Sequence, residues 1–196
     1  YRKLPFNPLT DFEYVSQVVD VPMTLLGRKD LPPNNLAELI TYVKANADKL
    51  NLAHAGLGAV SHLCGMVFRQ AVGVELQTVP YQGTAPALNA LLGGQVDLLC
   101  DQTTQTIPHI KAGTVKLYGV TTPGRISALP QVPTLDEAGV HGFDASGWYG
   151  VVAPAGTAQP IVARLNGEIG KAMQTPELRS RLDSEGALPA PGTPEE

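Results

Sequence analysis

Between Asn51 and Thr121 the chain alternates short apolar runs with segments of helical spacing, and this rhythm constrains the fold more than any other feature. Asn51–Ala55, Val74–Tyr81, Gln95–Cys100 (ending in Asp101) and Val115–Thr121 read as strands. Ser61–Ala71, with Leu63, Met66, Val67 and Gln70 at helical spacing, Thr84–Leu92 and Thr104–Ala112 read as helices between them. Pro86 suits the first turn of the second helix, and Gly113 closes the third. Strands alternating with helices in this way predict an α/β fold whose mostly parallel sheet is covered on both faces.

The flanks differ. Tyr1–Asp11 has no period, and Phe12–Leu26 reads as two extended pieces broken at Pro22. After the connection Arg28–Asn35, a helix shows one apolar face through Leu36, Leu39, Ile40, Val43 and Leu50, with Asn34 or Asn35 as its N-cap. Downstream, Pro123–Pro133 reads as a linker, Thr134–Ala138 as a turn or two of helix, and Phe143–Ala153 as a strand. Pro160–Gln174 is an amphipathic helix with Ile161, Leu165, Ile169, Ala172 and Met173 on one side, and Pro176 starts a shorter helix through Leu182. These flanking helices have apolar faces but too few strands to pack on. Residues 1–20 and 123–196 are therefore expected to belong to one domain whose opening elements lie before Tyr1, and 21–122 to form a complete α/β unit. Alone, the chain is expected to be poorly stable, because Ile161, Leu165 and Ile169 would meet water.

Charge narrows the function classes. The net charge of −4 is scattered, so no basic face for nucleic acid is expected. No apolar run is long enough to cross a bilayer, so no direct membrane insertion is expected.

The most informative segment is Leu52–Leu63, a glycine-containing loop that leaves a strand and opens a helix. Free N–H groups at a helix N-terminus attract an anion, and Gly56 and Gly58 let the backbone approach it. Ser61 either caps the helix or donates its hydroxyl to the ligand; a plain strand–helix turn is the alternative. Asp101, at a strand's carboxyl end, either accepts hydrogen bonds from a ligand or caps the following helix. Tyr81–Thr84 forms a third loop aimed at the same edge.

Other chemistries fit less well. Gly56-x-Gly58-x-x-Ser61 approximates a dinucleotide fingerprint, but the acid at the right distance, Glu75, stands at the start of its strand. A nucleotide-dependent enzyme using this loop and an interaction module without ligand binding remain as alternatives. His62 and Cys64 point to different sides of a helix, and the four histidines show no metal-ligand spacing, so no catalytic residue, metal or cofactor is expected. Most of the histidines read as helix-end or surface groups. Cys64 and Cys100 read as buried free thiols, with a disulfide in an oxidising compartment as the alternative, and Trp148 as a packing residue, with a ligand lid as the alternative.

Several blocks then carry a resemblance. They include Tyr1–Pro8, Ser61-His62-Leu63, Val79-Pro80-Tyr81-Gln82-Gly83 and Leu92-Gly93-Gly94-Gln95-Val96-Asp97. Pro108–Gly113, Leu129–Thr134, Ser146-Gly147-Trp148-Tyr149-Gly150 and Ala153–Thr157 follow in order. This chain resembles the periplasmic solute-binding proteins of the tripartite tricarboxylate transporter type, the Bug (TctC) family, nearly end to end. The resemblance implies a type II Venus-flytrap fold, with one complete lobe and part of the second. It implies a non-enzymatic receptor, monomeric at full length, that passes a small carboxylate to membrane transporter subunits. By the same resemblance Gly56, Gly58, Ala59, Val60, Ser61, His62, Tyr81 and Asp101 are ligand-binding, while a second clamp and the last helix, starting near Thr193, lie outside the chain. Family loops often carry hydroxyl residues at the positions of Ala59, Val60 and Ser61; here only Ser61 keeps one.

Overall fold

The computed structural model describes residues 4–195. Its elements in chain order are β1 (Phe12–Arg28), α1 (Leu36–Asn46), β2 (Asn51–His54), α2 (Val60–Val72), β3 (Gln77–Pro80), α3 (Thr84–Leu92) and β4 (Leu98–Gln102). There follow α4 (Thr103–Lys111), β5 (Val115–Val120), β6 (Ser146–Pro154), α5 (Gln159–Ala172), α6 (Pro176–Glu185) and β7 (Leu188–Pro189). The chain divides into two compact units. One is Pro22–Gly147; the other combines the chain up to Val21 with that from Trp148 onward.

In the Pro22–Gly147 unit the strand order is β3-β2-β4-β1-β5. β2 runs parallel to β3 and β4, as the alternation predicts, whereas β1 is antiparallel to β4 and β5. Strand alternation sends successive residues to opposite faces. Leu25, Leu52, Leu98 and Cys100 face one core with Leu36, Leu39 and Val43 of α1 and Cys64, Phe68 and Val72 of α2. Their neighbours Leu26, Ala53 and Leu99 face a second core with Ala87, Leu88 and Leu91 of α3. Both faces are thus sealed, which is why the strands read as continuous apolar runs.

α1 starts where Asn35 predicts. The Asn35 side chain accepts from the Glu38 N–H at 2.9 Å and donates back to the Glu38 carboxylate at 2.7 Å. Replacing Asn35 with Ala removes this cap and is expected to lower stability by about 1 kcal/mol, read from the urea midpoint at unchanged slope.

The structure corrects several expectations. β1 is one strand, not two; Pro22 falls between Val19–Asp20, which pair with β7, and Met23–Arg28, which pair with β4 and β5. A proline is tolerated there because no ladder bond to those strands needs its missing N–H. The Pro22–Gly147 unit also extends past the expected boundary at residue 122. Thr134 bridges to Val120, and Leu135, Val140 and Phe143 join the first core. Thr134–Ala138 forms no α-helix; the Thr134 hydroxyl and the Glu137 carboxylate each accept the other residue's N–H, at 3.0 Å in both directions. α2 turns Ser61, Cys64, Gly65 and Phe68 inward and leaves Leu63, Met66 and Val67 about half-exposed.

Cys64 and Cys100 are not free thiols but a disulfide, with Cα atoms 6.1 Å apart, joining α2 to β4. Both sit on facing surfaces of the first core, where the helix crosses the strand.

The second unit contains the first half of β1 with β6, β7, α5 and α6. Its core is small: Val15, Ala153 and Val162, with Ile169 against them. Ile161 and Leu165 are exposed, and Trp148 stays 66% exposed rather than packed.

Candidate anion site

The site grows from the carboxyl ends of β2, β3 and β4. After His54 the chain turns through Gly56, at φ 124°, and Gly58, at φ 78°. Both angles lie in the left-handed region that glycine enters without strain. α2 then begins with Ala59 at its N-cap, in extended conformation and without a side-chain cap bond. The first amides of the helix, at Val60, Ser61 and His62, have no intrahelical acceptor by position, and the helix dipole places partial positive charge there.

Ser61 neither caps the helix nor lies open. It is 3% exposed, and its hydroxyl oxygen accepts the Ala55 N–H at 2.9 Å, closing the loop. His62 is half-buried and its Nδ1 accepts the Gly58 N–H at 3.2 Å. His54, expected at a helix end or on the surface, is 2% exposed beneath the loop; its Nδ1 accepts the Gly56 N–H at 3.2 Å. The two imidazoles lie with centroids 4.4 Å apart.

The neighbouring loop is laced to this one. Tyr81 N–H donates to the His54 carbonyl at 2.9 Å and Gly83 N–H to the Ala55 carbonyl at 3.1 Å. The Tyr81 side chain is partly buried against the second core, so its part in the loop is made by its backbone. α3 starts from Gly83, also without a side-chain cap bond. α4 starts from Gln102, likewise without one. In this unit only α1, which begins at the opposite edge because β1 is antiparallel, is capped by a side chain. Three helix N-termini at one edge are thus left without side-chain caps, and that edge favours an anion.

Asp101 lies deeper than expected. It is 2% exposed; one oxygen accepts from Gln102 N–H at 2.8 Å and from the Thr84 hydroxyl at 3.2 Å. The other oxygen is buried without a partner among the described residues. Asp101 thus ties the start of α3 to the end of β4, and its partner there is Thr84, the last residue of the Tyr81–Thr84 loop. Burial pushes the carboxyl upward from its ordinary 3.8, more than these hydrogen bonds pull it down. Folded protein then holds this proton more tightly than unfolded chain. Asp101's contribution to stability is full below about the unfolded value and falls as pH rises through the raised folded value. Asp101→Asn, which cannot ionise, is expected to flatten the stability profile in that window, measured by urea unfolding at a series of pH values.

Two surface hollows lie elsewhere. One, of about 580 Å³, is lined by Pro32, Pro33 and one side of α1. The other, of about 490 Å³, lies in the second unit against Tyr14 and Trp148. Neither touches the glycine loop; the loop is singled out by its backbone donors rather than by enclosed volume. Glu75 does not serve a dinucleotide: it precedes β3, is exposed and pairs with Arg69. Cys64 has no thiol to offer as a nucleophile.

Residues 1–192 match the family model described as the tripartite tricarboxylate transporter family receptor. This chain belongs to that receptor family. Among relatives of these receptors, a UPF0065 protein from the TAR-I ttuE-ttuC' intergenic region of Agrobacterium vitis is 44% identical over 96% of this chain and 55% of its own length. The periplasmic binding protein BugD is similar in structure, with a TM-score of 0.91 and 49% identity over 97% of this chain and 64% of its own. MatC from Rhodopseudomonas palustris, solved with bound malate, superposes with a TM-score of 0.87 and 42% identity over 95% of this chain and 63% of its own. The fold is therefore that of the periplasmic binding proteins, and the chain spans a little over half the length of the first curated relatives it matches.

Proposed function

We propose that this chain is part of a periplasmic receptor that captures a small carboxylate at the Gly56–His62 loop and delivers it unaltered to a tripartite tricarboxylate-type membrane transporter. The observation that carries this reading is the uncapped start of α2, where the amides of Val60, Ser61 and His62 face no intrahelical acceptor behind two left-handed glycines. Family membership and the malate held by MatC support the ligand class. The Cys64–Cys100 disulfide supports an oxidising compartment.

Roles divide by geometry. Gly56 and Gly58 shape the loop, and Ala59 ends it without competing for the helix amides. The Ser61 hydroxyl closes it, so the missing hydroxyls at Ala59 and Val60 leave recognition to backbone N–H groups. Asp101 and Tyr81 also hold the adjoining loop in place.

A thermal-shift panel of the full-length protein against dicarboxylates, tricarboxylates, aromatic acids and amino acids, with nucleotides as controls, tests the reading. A ligand at about a hundred times its dissociation constant stabilises by about 2.7 kcal/mol. Shifts with carboxylates alone are expected; a shift with nucleotides alone would overturn the assignment.

A further inference from the structure

We propose that His54 is a positioning residue for the anion loop: as a neutral imidazole it holds Gly56 in its left-handed conformation, and as an imidazolium it releases it. The ligand part of this inference rests on the reading of the loop given above; the loop-shaping part does not.

The geometry carries it. Gly56 N–H donates to His54 Nδ1 at 3.2 Å, so that nitrogen holds a lone pair and the ring proton sits on Nε2. Nε2 is itself buried, without a hydrogen-bond partner among the described residues. A second proton could enter only at Nδ1, where it would face the Gly56 N–H, donor against donor. The bond would be lost and a charge would be added inside a residue that is 2% exposed.

The surroundings do nothing to favour that charge. From α2, His62 lies ring to ring with His54 at 4.4 Å, so a charge on either ring opposes one on the other. From β4, the residue on the same sheet face is Cys100, held in its disulfide. Asp101 follows Cys100 and so faces the other side of the sheet, where it binds Thr84. The loop after β3 meets His54 through the Tyr81 backbone N–H. Burial lowers the His54 pKa from 6.5, and His62 adds to the lowering. His62 repeats the arrangement at the loop's other glycine, accepting from Gly58.

The test compares His54→Asn, whose amide oxygen stands close to the place of Nδ1 and cannot be protonated, with His54→Leu, which has no acceptor. Full-length protein is used, and the readouts are hydrogen-exchange protection of the Gly56 amide, corrected for intrinsic rates, and affinity for L-malate as probe. Wild type is expected to lose about tenfold of its Gly56 protection between about pH 7.5 and the lowest pH at which the protein stays folded, well below the ordinary imidazole value of 6.5 because the His54 pKa is lowered; that is the scale of one buried amide losing its acceptor. H54N should keep protection at both pH values, and H54L should lack it at both. Malate affinity should follow the same order. A wild-type profile flat with pH, or H54N behaving like H54L, overturns the proposal. Should H54L not fold, the wild-type and H54N profiles decide alone. No malate binding with the protection pattern intact would count against malate as the ligand and for the role of His54.

Discussion

Replacing both Cys64 and Cys100 with alanine is expected to lower the unfolding free energy by about 3–4 kcal/mol. The two residues are 36 apart in sequence, and the bridge closes a loop of that length in the unfolded chain. Loop-closure entropy for such a span is of the order of 4 kcal/mol, and removing native disulfides commonly costs about 2–5 kcal/mol. Two methylene-sized voids do not enlarge this much, because the lost sulfurs sit between α2 and β4, which remain packed through Phe68, Leu52 and Leu98. Urea unfolding of the double variant against wild type measures the difference. The same loss should appear in wild type treated with reductant in denaturant, where the bridge is accessible. An unfolding free energy within about 1 kcal/mol of wild type would mean that the bridge constrains little in the unfolded chain.

Gly56→Val is expected to weaken carboxylate binding by about a hundredfold. At φ 124° a β-branched residue is held in a conformation only glycine occupies readily, a strain of about 1–3 kcal/mol or more. A Cβ at this position has room, since its nearest neighbour, the Tyr81 carbonyl oxygen, is 3.5 Å away. The backbone conformation is therefore the cause and not a clash, and the loop relieves it by moving the chain that leads into α2. Gly73, also left-handed (φ 67°) but at the far end of α2, is the control. Gly73→Val should reduce stability with little effect on affinity. Titration calorimetry separates the two: a variant at 56 that binds as wild type does would remove this loop from the site.

Much of the fold is legible in the chain because local period and burial agree. Leu52–Ala53 and Leu98–Leu99–Cys100 are apolar throughout since both sheet faces are covered, and α1 begins at an asparagine that caps it. The inward face of α2 is harder to see. Leu63, Met66 and Val67 have the stronger apolar pattern, yet the helix turns Ser61, Cys64, Gly65 and Phe68 inward. At Gly65 a Cβ would stand 2.7 Å from the Leu52 side chain, so close approach to β2 joins the burial of Phe68 and Val72 in selecting the face. Pro123–Pro133 reads as a linker and Thr134–Ala138 as a turn or two of helix because what joins this stretch to the unit, the bridge of Thr134 to Val120 and the burial of Leu135 and Phe143, depends on partners distant in sequence. The disulfide stands in the sequence only as an alternative to free thiols for the same reason, since it needs α2 to cross β4.

At the site, Gly56 and Gly58 announce the loop, because a need for left-handed backbone leaves its mark in residue type. The roles of the polar groups do not show in this way. Ser61 finds an N–H for its oxygen six residues upstream, at Ala55, rather than at the helix start. His54 looks like any histidine until the fold places it under Gly56. Asp101 stands at the predicted strand end, with one carboxylate oxygen turned to Thr84 and Gln102.

The central claim is that a carboxylate sits on the backbone amides opening α2. Titrating ¹⁵N-labelled full-length protein with L-malate, and with any stronger carboxylate from the thermal panel, tests it directly. The amides of Val60, Ser61 and His62 should show the largest saturable shifts, while Glu38, whose N–H already donates to Asn35 at the opposite edge, should stay still. Saturable shifts that spare those three amides, or no shift with any carboxylate, would contradict the account.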